Sequence, residues 1–562
     1  QMRVVVFILV LYSVFVMGMA AYMYKGNSVA IVFYGVFALA QLLSPLLPAA
    51  LVIGQSIAAA RLRRKQIYCI DPQRIMIAGK VQIFCFDKTG TLTKEGLEFH
   101  GGQVVDATSG SFAALTEDLA ATNALFRQAV ACCHAVTDLN GELIGNPVDI
   151  EQFRASKASM DPAPKYLDAI VPASGAEKGR LHVVRRFEFV HARASMSVAV
   201  LDETAGKIHV FVKGSFERIK SISRAGSVPD NYDSACASLA REGCYVLAIA
   251  HKTLDTTDPE SIRDYSQDEL EAGCDLLGLL LFRNNLKPDT AAAIAELKRG
   301  STRTVMVTGD NALTGVFIAR ECGMVPQGNR VLLGDCKSPM DEVRWIDVDT
   351  MLPVPDIGPY LAEVDASGFT TTELAVGGAA FERLCATGAI DSLLLNIRIF
   401  ARMKPMDKVE CIEAHMKYGV IAMCGDGGND CGALRAAHVG IALSDAEASV
   451  VSPFSSANRS IMSCVELLRE SRAGLATSFA NFAALICYGQ IMSGMVKMAS
   501  FYFAISLTQN LWMLIDGAIA TGLMLTISMS GPAKRLAKYR PTSRILGPQM
   551  LASVGGIVLI NW

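Results

Sequence analysis

No excess of basic charge runs through this chain. Its 52 lysines and arginines face 54 aspartates and glutamates, a formal net charge of -2. That balance leaves no electrostatic footprint for nucleic acid. Metal-finger cysteine spacing is missing too. None of the 15 cysteines forms a Cys-x-x-Cys pair, and the adjacent Cys132 and Cys133 cannot both ligate one tetrahedral ion without strain. The thiols therefore read as reduced and cytosolic. Internal repeats and low-complexity tracts are absent from the sequence, which argues against a solenoid or a disordered scaffold. The chain opens on Gln1, already inside an apolar stretch and without a basic leader. It reads as N-terminally incomplete rather than as carrying a signal peptide.

Apolar residues, by contrast, are plentiful: 51% of the 562 residues, with a mean hydropathy of +0.33. Such a chain is expected to hold several domains and to place part of itself in lipid. Val4 to Tyr24 is long enough to span a bilayer, and Ile31 to Ala60 is a second apolar run broken by Pro45 and Pro48. The cluster Arg61-Leu62-Arg63-Arg64-Lys65 follows and marks a cytosolic edge. Later apolar runs at Ser478 to Ile505, Asn510 to Ser530 and Ile545 to Trp562 bring the expectation to five spans, with the two termini on opposite sides. The expected division is two transmembrane helices in 1–65, a first α/β part in 66–100, an α+β insertion in 101–280, a second α/β part in 281–470, and three transmembrane helices in 471–562. Leu276 to Phe282 is expected to be the strand on which the α/β sheet resumes, and 326–395 an excursion from that same sheet.

Chemistry concentrates at three strand ends and at one lysine upstream of the last strand. Val81 to Phe86 is an apolar strand-like run, and Phe86-Asp87-Lys88-Thr89-Gly90-Thr91-Leu92-Thr93 follows it. This delivers a carboxylate to the carboxyl end of a buried strand, where open α/β sheets place their reacting groups. Asp87 is thus a candidate nucleophile for a phosphoryl group. Thr304-Val305-Met306-Val307 leads into Thr308-Gly309-Asp310-Asn311, where Thr308 is suited to hold a phosphate oxygen. Val420 to Met423 leads into Gly425-Asp426-Gly427-Gly428-Asn429-Asp430, and Asp426 and Asp430 are hard oxygen ligands suited to magnesium. Upstream of that strand, Lys408 is placed to neutralise charge on a transferred phosphoryl group. A lone Gly-Asp turn is usually structural, but four such features in this order are hard to reach by coincidence.

Together these motifs resemble the haloacid-dehalogenase-type phosphorylation domain of the P-type ATPases. The resemblance implies a multidomain membrane protein: transmembrane helices plus an α/β phosphorylation domain with an inserted α+β nucleotide-binding domain. It implies ATP and Mg2+ as cofactors and Asp87 as the phosphorylated residue. Asp87, the Thr89 backbone, Asp426 and Asp430 would hold magnesium. Thr308, Gly309, Asp310, Lys408 and Asn429 would surround the phosphate. Lys213-Gly214-Ser215-Phe216-Glu217 is similar to the family's Lys-Gly-Ala-Pro-Glu signature, so Lys213 would line the adenine pocket. Phe189 stands where the family stacks an aromatic on adenine, although on pattern alone it reads as an ordinary core aromatic. Two cations of the family pattern are replaced, by Tyr245 and by Ala194, which would weaken attraction for phosphate.

Pro45-Leu46-Leu47-Pro48-Ala49-Ala50-Leu51 resembles the proline motif of type V P-type ATPases, B branch, with Ser44 and Leu46 as departures. Ile67 to Ile75, Asp430 to Leu434 and Ser444 to Phe454 are also close to that branch. The branch implies polyamine export from a late endosomal or lysosomal lumen, with the catalytic domains in the cytosol. Prolines at membrane depth free carbonyls that line a substrate path; the other reading is a kinked packing helix. Asp516 is the carboxylate found inside an apolar span, so Pro45, Pro48 and Asp516 form a candidate transport path, with pairing of Asp516 to Lys497 as the alternative. A Thr-Gly-Glu run, which the family uses to discharge the aspartyl-phosphate, is absent from these 562 residues. The chain is therefore expected to bind ATP and accept phosphate without completing transport alone. A cation pump of another branch and a catalytically silent scaffold stand as the alternatives.

Overall fold

The computed structural model describes residues 46–106, 110–139, 141–163, 165–172, 179–190, 193–256, 258–336, 338–363, 370–443, 450–485, 508–542 and 547–561, with scattered residues elsewhere. Two large sheets organise them. The first has eleven strands, in the spatial order 67–69, 454–456, 439–442, 421–425, 83–86, 303–307, 397–401, 372–377, 330–335, 344–347 and 353–354. Ladders from 454–456 across to 330–335 are parallel, while 67–69 at one edge and the 344–347 and 353–354 pair at the other run antiparallel.

The central strands are apolar on both faces because both faces are covered. On Ile83–Phe86, Phe84 and Phe86 stack at 4.7 Å in one core. Ile83 and Cys85 point into the other core, beneath the helix Pro405–Met416 and its neighbours. This strand lies between 303–307 and 421–425, with Phe86 level with both Met306 and Cys424. The three following loops therefore emerge side by side at one carboxyl edge.

The second sheet has nine antiparallel strands, in the order 111–112, 98–106, 275–283, 244–254, 207–215, 195–202, 181–190, 168–171 and 159–161. Helices Ala124–Cys132 and Pro147–Ser156 cover one face, and Phe216–Ile222 and Tyr232–Arg241 the other. The strand expected to resume the α/β sheet, Asp275–Arg283, belongs instead to this antiparallel sheet, between 244–254 and 98–106. Its continuous apolar run reflects burial on both faces, which antiparallel and parallel strands share when helices cover them. The region 326–395, expected to leave the sheet and return, adds four strands to its far end. A two-stranded neck joins the sheets: Thr93 bridges Leu286, the Lys94 amide donates to the Asn285 carbonyl at 2.9 Å, and Glu98 pairs with Arg283.

Helix Leu46–Arg64 packs on Met462–Ala484. Pro48 falls in its first turn, where a missing N–H costs no helical bond; Pro45 lies outside the described residues. The basic cluster at 61–65 is tied down in part. Arg61 donates to the carbonyls of Met529 and Ser530, and Lys65 pairs with Glu466 at 2.6 Å and with buried Glu470 at 2.9 Å. Asp516 lies in the π-helical stretch Met513–Ala520, its side chain outside the described residues, as is Lys497. Among the described residues, no helix is long and apolar enough to cross a membrane.

Candidate functional site

Asp87 is the first residue beyond its strand, held by its amide on the Cys424 carbonyl at 2.9 Å. It is 7% exposed. Lys408 reaches it from the first turn of Pro405–Met416, a helix begun by proline at a position that needs no donor. The Lys408 ammonium donates to Asp87 Oδ1 at 2.6 Å and to Asp430 Oδ1 at 2.7 Å. Carboxylate oxygens of Asp87, Asp426 and Asp430 all lie within 4.8 Å of one another. Three carboxylates around one ammonium make a pocket rich in negative charge. Burial, then Asp430, pushes the Asp87 carboxyl up to about 7, against the pull of Lys408. Burial and Asp430 also raise Asp426. Burial works against the charged form of Lys408, yet Asp87 and Asp430 hold it above the ordinary lysine range.

Two glycines make this convergence possible. Gly90 has φ +72°, and a Cβ there would fall 1.7 Å from Asp426 Oδ2. A Cβ on Gly425 would fall 2.4 Å from Asp430 Oδ2. The backbone thus approaches the carboxylates more closely than any side chain permits. A set of hard, convergent oxygens of this kind fits a divalent cation such as magnesium.

A second polar group flanks the first. Asp310 Oδ2 accepts from Lys88 at 2.8 Å, from the Thr89 hydroxyl at 2.8 Å and from the Thr308 hydroxyl at 3.2 Å. Burial would raise Asp310, but Lys88 and these hydrogen bonds hold its carboxyl below the usual range. The loop is fixed by Thr308, whose amide donates to the Phe400 carbonyl and whose own carbonyl accepts from Met403. Gly309 and Asn429 are exposed at the same edge. The Thr89 side chain is directed to Asp310 rather than to the three-carboxylate cluster.

Lys213 and Phe189 lie on the other sheet. Lys213 is buried, its ammonium bonded to Asp149 Oδ1 and Gln152 Oε1 at 2.6 Å each. The structure therefore gives it an internal ion pair. Phe189 is 48% exposed at the end of its strand, as is Tyr245 at 51% on another, while Ala194 takes a left-handed φ of +53°. Sequence reading passed over three participants: Lys88, its partner Asn284 at 2.9 Å, and Thr91, whose hydroxyl donates to Asp426 at 3.4 Å. Lys88 and Thr91 stand inside the Asp87 motif, so the motif itself was the signal. Asn284 follows 196 residues later at the neck, and no local pattern marks it.

No family model matches the chain. Several curated proteins do. A Homo sapiens protein named "Probable cation-transporting ATPase 13A5" is 33% identical over 538 residues, 91% of this chain and 44% of that protein. A Mus musculus "Probable cation-transporting ATPase 13A4" is 34% identical over 551 residues, 92% of this chain and 45% of its own. A Macaca fascicularis "Polyamine-transporting ATPase 13A3" is 32% identical over 575 residues, 92% and 46%. The chain spans a little under half the length of these relatives. Along nine-tenths of itself the chain is thus homologous to ATPases of the P-type, type V.

Proposed function

We propose that this chain is the phosphorylated core of an ATP-driven membrane transporter, and that polyamines are its cargo. The observation that carries the reading is Asp87 at a sheet switch point, with Lys408 at 2.6 Å and two further carboxylates converging on it. In this reading an Asp87 carboxylate oxygen attacks the γ-phosphorus of ATP, the bond to the bridging oxygen breaks, and ADP leaves with that electron pair. Lys408 favours the ionised nucleophile and offsets negative charge on the moving phosphoryl group. Thr308 and the backbone at Gly309 are placed to hold phosphate oxygens. Asp87, Asp426 and Asp430 would hold magnesium, which supplies charge neutralisation when bound. Phe189 and Lys213 serve the nucleotide side of the reading, Lys213 through the fold of that sheet.

Polyamine as cargo is supported by the relative named as a polyamine transporter and by the solitary Asp516 in an apolar run. A late endosomal or lysosomal membrane, with both sheets in the cytosol, completes the proposal. The relatives named as cation-transporting favour a second reading, transport of another cation. Incubation with labelled ATP and magnesium tests the core step. An acid-stable, hydroxylamine-sensitive label is expected on the wild type and none on Asp87→Asn; equal labelling of the two overturns the proposal. Stimulation of label turnover by spermine in the full-length protein separates polyamine from other cations.

A further inference from the structure

We infer that the cavity between the helix Met462–Ala484 and the segment 530–541 binds a phosphate group, carried by an anionic lipid or free in solution. The cavity measures about 330 Å³. Arg469, Arg472 and Arg535 line it, together with the small apolar surfaces of Ala473, Ala476 and Pro541. Among the described residues, no carboxylate lines it.

Arg472 is the anchor. It is 5% exposed and hydrogen-bonds neutral oxygens: the Ala537 carbonyl at 2.7 Å, the Gly300 carbonyl at 2.8 Å and the Thr302 hydroxyl at 3.2 Å. Among the described residues its Nε has no acceptor, as holds for Arg186 and Arg398 too. Two other buried guanidiniums meet a carboxylate, Arg186 pairing with Asp168 and Arg398 with Glu373, whereas Arg303 donates to the Ile397 carbonyl. Among the described residues Arg472 has no carboxylate partner, and burial followed by the like charge of Arg540 pulls its pKa down to about 10. A buried cation without a counter-ion is costly. An anion in the adjoining cavity supplies what the protein does not.

The other two arginines shape the site. Arg469 donates through Nε and a terminal nitrogen to the Ala533 carbonyl and pairs with Glu466, which fixes its plane. Arg535 is exposed at the rim. Planar guanidiniums from two sides suit the tetrahedral oxygens of phosphate. The apolar lining suits a glyceryl or acyl portion, and the segment directly follows the apolar helix Thr521–Ser528. The lipid source rests on the membrane reading proposed above; the phosphate chemistry does not.

Binding is measured by calorimetry on the full chain in neutral detergent, with three probes: dioctanoyl phosphatidic acid, inorganic phosphate and dioctanoyl phosphatidylcholine. Arg535→Gln removes a rim charge that carries no described contact, and Ala476→Phe fills the cavity without altering charge. Supporting outcomes are saturable binding of phosphatidic acid, weakened at least about tenfold by each variant, with phosphatidylcholine inert. Equal binding of inorganic phosphate with the same sensitivity supports the site and assigns a free source. Absence of binding by both anions, or binding untouched by both variants, overturns the inference and leaves Arg472 as a packing staple. Labelling of Asp87 from ATP in the same samples is expected to persist in both variants, so loss of the catalytic reading would be seen separately.

Discussion

Replacing Asp87 by asparagine is expected to stabilise the sheet in the absence of magnesium. The carboxyl moves from an ordinary 3.8 to about 7 in the folded chain, chiefly through burial and then Asp430. A carboxyl raised on folding binds more protons in the native state throughout that window. Its penalty on stability is absent below the unfolded value, grows as pH rises from about 4 to 7, and is complete above the folded value. At pH 7 the shift corresponds to about 4 kcal/mol, and at pH 5 to less than half of that. Asp426 and Asp430 share this charge, so about half is the working expectation: a gain near 2 kcal/mol at pH 7 and under about 1 kcal/mol at pH 5. Lys408 keeps Asp430 as a partner in the variant. The assay is hydrogen exchange of the Ile83–Phe86 amides with chelator present, which reports local opening free energy without assuming that the whole chain unfolds together. Equal or lower protection in Asp87→Asn at pH 7, or a gain independent of pH, would refute the charge-crowding account. With saturating magnesium the ranking is expected to reverse.

Gly90→Ala is expected to lower phosphoenzyme formation at least about a hundredfold, because the new Cβ meets Asp426 and must displace it; rapid-quench labelling with a magnesium titration checks both rate and metal dependence. Lys213→Met leaves the buried Asp149 charge uncompensated and is expected to destabilise the nine-stranded sheet by about 3–5 kcal/mol. Adding Asp149→Asn is expected to recover part of that loss, measured by exchange of the 207–215 amides.

Much of the acid site was legible because its parts sit at strand ends. An apolar run followed by Asp-Lys-Thr-Gly-Thr states both the strand and the group it presents, and the same logic located Thr308, Asp310, Asp426 and Asp430. The order of strands was not legible. Only pairing brings 421–425 to one side of 83–86 and 303–307 to the other. Asp275–Arg283 was misassigned because two covered faces erase the alternation that marks an antiparallel strand. The ion pair of Lys213 was not legible, because a motif states identity but not direction, and its ammonium is directed to Asp149 within its own sheet's domain. Asn284 carried no signal because its role arises from the neck, where chain segments far apart in sequence meet.

That neck has a further consequence. Glu98 and Arg283 stand opposite one another, as neighbouring strands do, so everything between them leaves and re-enters the eleven-stranded sheet at nearly one point. A gap of that size is closed by two or three residues. To the parallel sheet, 98–283 is then equivalent to a very short turn, whatever the insert's own size. Bridging Lys94 directly to Asn285 with a few glycines is a deletion the parallel ladder can tolerate, and the excised piece would carry termini already side by side. Each sheet sets its strand register through its own ladders, and outside the neck the two also meet where Arg283 lies over the Phe317 ring.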